Sequence, residues 1–529
     1  MSTDVGTAAA PRATRREWLG LAILALPTML IAVDLTVLHL ALPALTADLR
    51  PGNTELLWIV DIYGFLIAGC LVTMGAIGDR IGRRRLLLIG AVAFGVASVL
   101  SAFAVNAAML IAARALLGIA GSTLMPSTLS LIRIMFRDPR QQGAAIGAWT
   151  GFFGLGTVIG PLVGGTFLEL FWWGSVFLLG VPVMLLLIVL GPLVLPEYRD
   201  ESVSRPDLIS AIMSIVGVLA LIFGLKRIAE DGLRPESGIA IVAGLALAAL
   251  FLHRQGRLEQ PLVDLSLFRN GLFGTAIGML VFVTLLSAGS QFFVMQYLQL
   301  VCGLTPLQAG LWSLPTTVAI MIGAMGAPGL AGRMKLSTLL AGGLVVAAVG
   351  MVVLTRVGGP SDLYVAVAGV AVIGLGLGPM ISLGTGLIVG AAPPERAGAA
   401  SAMAATGTEL GSALGVGVIG SIGFAVYRAN LIDRLPEGLP APVVETAEDT
   451  LAAAVTVARE LPAAQGSGLV SVAREAFVYG LQTIAVVGAV LAALLATVAA
   501  TLLRKARMPG PPPPAEAGDA AKSFEKTDN

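Results

Sequence analysis

Apolar runs close to 20 residues long, separated by short polar or Gly/Pro-bearing breaks, recur from one end of the chain to the other. They fall at 18–42, 56–77, 86–105, 108–132, 144–168, 174–195, 208–225, 238–252, 272–300, 306–330, 336–355, 363–389, 398–426 and 476–503. A helix needs about 20 apolar residues to cross the hydrocarbon core, and only helices or closed barrels satisfy their backbone groups there. The pattern therefore predicts an all-α polytopic membrane protein with fourteen transmembrane helices. Composition agrees: 56% of the 529 residues are hydrophobic and 12% are charged, where a soluble domain carries roughly 25% charge. A net charge of +1 leaves no basic surface for nucleic acid. Cys70 sits within one span and Cys302 at the end of another, so no disulfide is expected. With two His and two Cys there is no metal-ligand cluster and no nucleophile–base set, so neither an enzyme nor a metal or cofactor site is expected.

The charges that remain are unevenly placed. If both ends face the cytoplasm, the loops on that side hold Arg80, Arg83, Arg84 and Arg85, then Arg133, Arg137 and Arg140, with Arg12, Arg15 and Arg16 before the first span and Arg504, Lys505 and Arg507 after the last. The opposite loops are poor in Lys and Arg. This asymmetry predicts cytoplasmic termini. The layout is a cytoplasmic N-terminus at 1–17, a six-helix half at 18–195, two inserted helices at 208–252, a second six-helix half at 272–503, and a disordered Pro-rich tail at 504–529. Within the second half, 428–475 reads as an external helical hairpin with a break at the Gly-Ser-Gly of 466–468. Parallel halves are suggested by a repeat displaced by about 255 residues: QQGAAIGAW (141–149) echoes ERAGAASAM (395–403), and LGIAGSTLMPS (117–127) echoes IGLGLGPMIS (373–382). Two such halves with a site between them are a transporter architecture. Heavy use of Ala and Gly, with Arg outnumbering Lys, suits a GC-rich bacterial genome and hence the bacterial cytoplasmic (inner) membrane.

Ionisable groups inside spans carry the chemistry, because a mid-membrane charge costs ~3 kcal/mol on insertion scales. Asp34 stands about 24 Å along span one. Asp61 lies early in span two, which runs the other way, so both acids fall near the depth of Arg114 in span four. Trp58 and Phe65 share a helix face with Asp61. Glu409 is the clear membrane carboxylate of the second half. Three acids against one Arg would leave a cavity net negative and suited to a cation, although each could also be a satisfied structural group. Phe292, Phe293 and Tyr297 in span nine could offer rings to a lipophilic cation or simply pack. His39, five residues past Asp34, could relay protons but reads better as interfacial. In GLGTVIGPLVGG (154–165), Gly156, Gly160 and Gly164 form a flat stripe for a close neighbouring helix, and Pro161 allows a bend. In GAIGDRIGRRRLLLIG (75–90), Gly75 and Gly82 permit a tight turn beside which Asp79 and Arg83 can pair, followed closely by Arg80 and two further Arg.

That last spacing, G-x-x-x-D-R-x-G-R-R, resembles the signature of the major facilitator superfamily. The resemblance implies a gate at Gly75, Asp79, Arg80, Gly82 and Arg83 on the cytoplasmic side, and a coupling role for Arg114 in its R-x-x-x-G element with Gly118. The G-x-x-x-G-P-x-x-G-G form around Gly160 and Pro161 is similar to the motif marking that superfamily's exporters. VDLTVLHLALP (33–43) with WIVDIYG (58–64) and fourteen spans resembles the 14-span drug:proton antiporters that export quaternary ammonium compounds and cationic dyes. This implies a monomeric, proton-coupled multidrug efflux antiporter working by alternating access in the lipid bilayer, with small lipophilic cations and protons as its ligands. Asp34, Asp61, Glu409 and Arg114 would be its proton-coupling and cation-binding groups. An exporter dedicated to one endogenous metabolite or antibiotic is the alternative. Span ten, 311–330, lacks the acid some members carry there, which puts bulky divalent cations in doubt. No Walker A pattern occurs, leaving the proton gradient as the energy source.

Overall fold

A computed structural model describes residues 13–136, 138–199, 207–231, 234–258, 261, 265–331, 333–392, 397–436 and 438–505. Most of the N-terminal segment 1–17, the tail beyond 505, and Arg137 of the basic loops lie outside them. Among the described residues there are helices and no strand. Thirteen helices are long and apolar enough to cross a membrane. They are α1 (Arg15–Leu49), α2 (Asn53–Ile81), α3 (Arg83–Ala102), α4 (Ala107–Met135), α5 (Pro139–Leu170), α6 (Ser175–Val194), α8 (Pro235–Gln255), α9 (Gly271–Gln296), α10 (Pro306–Ala331), α11 (Leu336–Leu354), α12 (Leu363–Gly390), α13 and α16 (Ala463–Leu502). Within α13, Ala397–Leu414 runs through a π turn, Gly415–Ile419, into Gly420–Ile432. A fourteenth helix, α7 (Leu208–Asp231), has a shorter apolar stretch, Ile209–Leu221. With fourteen crossings the start of α1 and the end of α16 lie at one face of the bundle, hereafter the terminal face; the other is the far face.

The helices extend past the apolar runs because polar residues cap them outside the hydrocarbon. Thr14 accepts from the Arg16 amide at 3.2 Å while Glu17 takes the Thr14 amide at 2.6 Å, the reciprocal capping box that starts α1.

Packing repeats between the halves. In the first, α1 lies on α5, α2 on α4, and α3 on both α4 and α6; in the second, α9 lies on α13, α10 on α12, and α11 on both α12 and α16. The halves meet by the same rule read twice, α5 against α10 on one flank and α2 against α13 on the other. Small residues make these approaches possible. A Cβ on Gly310 would lie 2.5 Å from the Pro161 carbonyl oxygen, and one on Gly420 would lie 2.9 Å from the Leu57 side chain. Both points are toward the far face. The inserted pair packs on itself through Gly217, Gly224 and Gly244, and α7 also lies against α2 and α13. The start of α7 is tied to the end of α8 at the terminal face by Asp207, which accepts two bonds from Arg254, each 3.1 Å, and another from Ser210. Burial alone would raise the Asp207 carboxyl, but those bonds outweigh it and hold the group at about 2.

Between α13 and α16, within the segment expected as an external hairpin, stand two short helices, α14 (Ala441–Asp449) and α15 (Leu451–Ala458). Thr450 separates them, its side chain accepting from the Ala453 amide at 3.1 Å. The expected break at 466–468 does not occur, since α16 already begins at Ala463. Gly466 is used for contact instead of turning: a Cβ there would lie 2.3 Å from the Ala458 carbonyl oxygen, so the glycine seats α15 on α16. α15 also touches α1, and Arg50 at the end of α1 pairs with Glu460 at 3.0 Å across the halves.

Candidate functional site

The site begins with Arg114, a guanidinium only 1% exposed. Its Nη1 donates to an Asp34 carboxylate oxygen at 2.8 Å and its Nε donates to the Ile59 carbonyl at 3.2 Å. The guanidinium carbon lies 4.5 Å from the centre of the Tyr63 ring and 5.9 Å from that of Phe177. A buried charge requires such partners. Gly118, one turn further along α4, lets α2 come near enough to supply them: a Cβ there would sit 2.6 Å from the Tyr63 carbonyl oxygen.

The glycine stripe of α5 delivers the other partner. Cβ atoms on Gly156, Gly160 and Gly164 would lie 2.4 Å from the Met29 carbonyl oxygen, 2.1 Å from Thr36 Oγ1 and 2.6 Å from Val37. α1 is thus held against α5 along the turns on either side of Asp34. Pro161 and Gly165 meet α10 instead, so α5 is wedged between Asp34's helix and the opposite half.

Glu409 is half-buried on α13. Asp34 and Arg114 gather beside the Tyr63 ring, which the charge of Glu409 also reaches, as the weakest of the three. Asp61 does not join them. Ile59 and Tyr63 face Arg114, and at 100° per residue Asp61, two positions from each, points to the other side of α2. It is 2% exposed, on the face where Trp58 and Phe65 pack against Val218 and Leu219 of α7 and Leu410 and Leu414 of α13. The expectation of one net-negative cavity with three acids is corrected accordingly: Asp34 is balanced by Arg114, and Asp61 serves a different face.

Between the halves lies a cavity of about 520 Å³ walled by α1, α5, α9, α10 and α12. Hydroxyl, amide and thioether groups dominate its polar surface, among them Thr36, Gln291, Met295 and Thr316, and His39 lines it too. Among the described residues no carboxylate lines it. Of the rings expected there, none does. Phe292, Phe293 and Tyr297 are fully buried; Phe293 stacks on Phe477 with centres 5.2 Å apart, and the Tyr297 hydroxyl donates to the Gly359 carbonyl at 2.6 Å. The α9 face that looks into the cavity is Ser287, Ser290, Gln291 and Met295. His39, read as interfacial, is a cavity residue with Nδ1 buried, its ring set edge-on to Phe292. A His inside a span was itself the signal.

At the terminal face Arg83 and Asp79 are paired at 2.5 Å, as their spacing predicted. Gly82 adopts φ +114°, open to glycine and strained for other residues. A Cβ on Gly75 would make only ordinary contact with Pro126, at 3.9 Å, and Arg80 is exposed. Glu197, which the sequence did not mark, completes this turn: it accepts from the Arg84 amide at 3.1 Å and would meet a Cβ on Gly82 at 2.6 Å.

Paired helical halves around a polar-walled cavity, with an ion pair deep in the bundle, define a multi-pass membrane transporter and not an enzyme. The chain belongs to the major facilitator superfamily, whose sequence profile matches residues 24–416. It is 42% identical over 507 residues to the multidrug efflux pump LfrA of Mycolicibacterium smegmatis, covering 96% of this chain and 100% of that one. It is 35% identical to the methyl viologen resistance protein SmvA of Salmonella typhimurium, covering 88% and 94%. The tetracenomycin C resistance and export protein of Streptomyces glaucescens is 30% identical, covering 93% and 92%. A bacterial homolog of the human lysosomal transporter Spinster, solved inward-facing and occupied, shares the fold with a TM-score of 0.63 at 16% identity, covering 94% of this chain and 100% of that one.

Proposed function

We propose that the protein is a proton-coupled efflux antiporter that exports lipophilic cations, including quaternary ammonium compounds and cationic dyes, by alternating access. The observation that carries this reading is the Asp34–Arg114 pair at 2.8 Å, buried where α1, α2 and α4 meet. A carboxylate so placed can hold its charge against Arg114 or accept a proton and let the guanidinium go, and it sits on the helix that α5 presses toward the other half. Proton uptake at Asp34 would change how α1 and α4 hold together, and through the stripe at Gly156, Gly160 and Gly164 that change reaches the cavity wall. Glu409, with its charge felt at Tyr63, is the second proton or cation group in this scheme. Asp61 is the third, acting on the far side of α2. Asp79, Arg83 and the turn at Gly82 gate the terminal face, which we assign to the cytoplasm of a bacterial inner membrane. The proton gradient supplies the energy, no cofactor takes part, and the working unit is a monomer.

The relatives named for multidrug efflux and for resistance to methyl viologen, a dication, support a cationic substrate class. The test is ethidium efflux from cells lacking their own pumps, with and without a protonophore, alongside proton release from purified protein on ethidium addition. Efflux that persists with the gradient collapsed, or binding without proton release, would sink the coupling. The relative named for tetracenomycin C export supports a second reading, an exporter of one metabolite or antibiotic. A substrate panel separates the two, since resistance to a single compound would favour the second.

A further inference from the structure

The inserted helices close off a second cavity, apart from the one between the halves. It measures about 220 Å³ and is walled by α2, α7, α8, the short turn Leu265–Arg269, α9 and α13. Three rings, Phe65, Phe251 and Phe268, and the Met403 thioether face it, with Ser214 and Thr406 as polar wall groups. The Thr406 hydroxyl is buried without a hydrogen-bond partner. Ring edges and a polarisable sulfur suit an aromatic occupant. An apolar cavity of roughly 150 Å³ accepts benzene, so this one takes one or two rings of a larger aromatic cation.

Charge and depth narrow the occupant further. Asp61 lies one helical turn from Phe65 on the same face of α2, just beyond the residues that line the cavity. Ser214 and Ile277 lie less than two turns from the starts of their helices at Leu208 and Gly271, and Phe251 one turn from the end of its own at Gln255. The cavity thus runs from within about 9 Å of the terminal face, at Ser214, Phe251 and Ile277, to about 24 Å in at Phe65, and its outer part lies in the leaflet where an amphiphilic aromatic cation collects from that side. α7 is fitted to α2 there, with Ile215 filling the space beside Gly69.

We propose that this cavity is a binding site for the aromatic body of a lipophilic cation, loaded from the leaflet at the terminal face, with Asp61 attracting the positive centre. The two inserted helices then form the outer wall of a waiting site beside the transport path. The inference rests on the exporter reading.

The test uses the full-length chain in lipid nanodiscs with ethidium as the probe. The unaltered chain should bind ethidium at two sites. Val218→Trp, which fills the cavity, should remove one of them, while Thr157→Trp in the cavity between the halves should remove the other. Ethidium bound identically by the unaltered and Val218→Trp chains would overturn this site alone; no ethidium bound by the unaltered chain would overturn the exporter reading and this site with it. Should Val218→Trp not reach the membrane, photolabelling of the unaltered chain with an azido-ethidium decides. Adducts within 214–218 or 403–410 support the site, and adducts confined to the cavity between the halves overturn it.

Discussion

Replacing Asp34 by Asn is the sharpest single perturbation of this molecule, because it removes one charge and strands the other. The Arg114 side chain is 2% exposed and that of Asp34 12%. Breaking a buried pair from one side costs about 3–5 kcal/mol. The Asn carbonyl can still accept from Nη1, and the Ile59 carbonyl and Tyr63 ring stay in place, so the loss should fall near the lower end, about 3 kcal/mol or roughly 150-fold in the unfolding equilibrium. Arg114→Gln leaves a carboxylate that is easier to solvate and should lose less. The double variant strands neither charge, so it should be more stable than the sum of the two losses predicts, with a coupling of about 2 kcal/mol. Thermal unfolding of the purified proteins in detergent reads all three values. Substrate-induced proton release, followed with a pH dye, should vanish in Asp34→Asn while ethidium binding is scored separately. Losses additive to within about 0.5 kcal/mol, together with unchanged proton release, would refute the assignment of this pair as the coupling element.

Three further outcomes are expected. Gly160→Val puts a branched side chain where a single Cβ would already lie 2.1 Å from Thr36 Oγ1; it should force α1 off α5 and lose about 1–3 kcal/mol along with efflux, and wild-type efflux by that variant would count against the stripe. Gly82→Ala must hold φ +114° against Glu197, a strain of roughly 1–3 kcal/mol that should lower the thermal midpoint and slow turnover, which efflux kinetics will show. The Asp207 carboxyl, held at about 2 against an ordinary value near 3.9, contributes stability above pH 4 that fades as the pH falls toward 2. With Arg254 37% exposed the contribution is about 1 kcal/mol; Asp207→Asn should lose it at pH 7 and flatten the profile between about pH 4 and pH 2, and a variant as stable as the parent at pH 7 would contradict this.

Span number and the pairing of Asp79 with Arg83 were legible in the sequence because each depends on local spacing: length and apolarity for the spans, four residues along a helix for the pair. The stripe at Gly156, Gly160 and Gly164 was legible as a contact face but not its partner, which turned out to be α1 around Asp34. Asp61 shows the limit. Its depth could be counted from the ends of its helix, but its direction depends on how α2 is rotated against α4, and only Gly118 and the Arg114–Ile59 bond fix that. Phe292, Phe293 and Tyr297 were misplaced for the same reason: adjacent rings cannot all share one face, and the face turned to the cavity was the one carrying Gln291 and Met295. Thr36 gave no signal, since hydroxyl residues that bond their own helix backbone, as it does, are common in membrane spans. The Gly-Ser-Gly of 466–468 reads as a break by composition, yet a glycine needed because a Cβ would collide with the Ala458 carbonyl looks the same in a sequence as one needed for a turn.

The Arg50–Glu460 pair has a kinetic meaning. Both side chains are more than half exposed, 59% and 60%, so the bond is worth at most about 1 kcal/mol. It nevertheless spans the seam that must part if the far face is to open. A strong clasp there would add its full strength to the barrier of every cycle; a weak, wet one raises that barrier less than tenfold while still favouring the closed register. On the alternating-access reading proposed above, the hairpin would act as a light catch, able to bias which face is shut without setting the pace of turnover, and salt that screens the pair would shift the balance of states more than it would alter the rate.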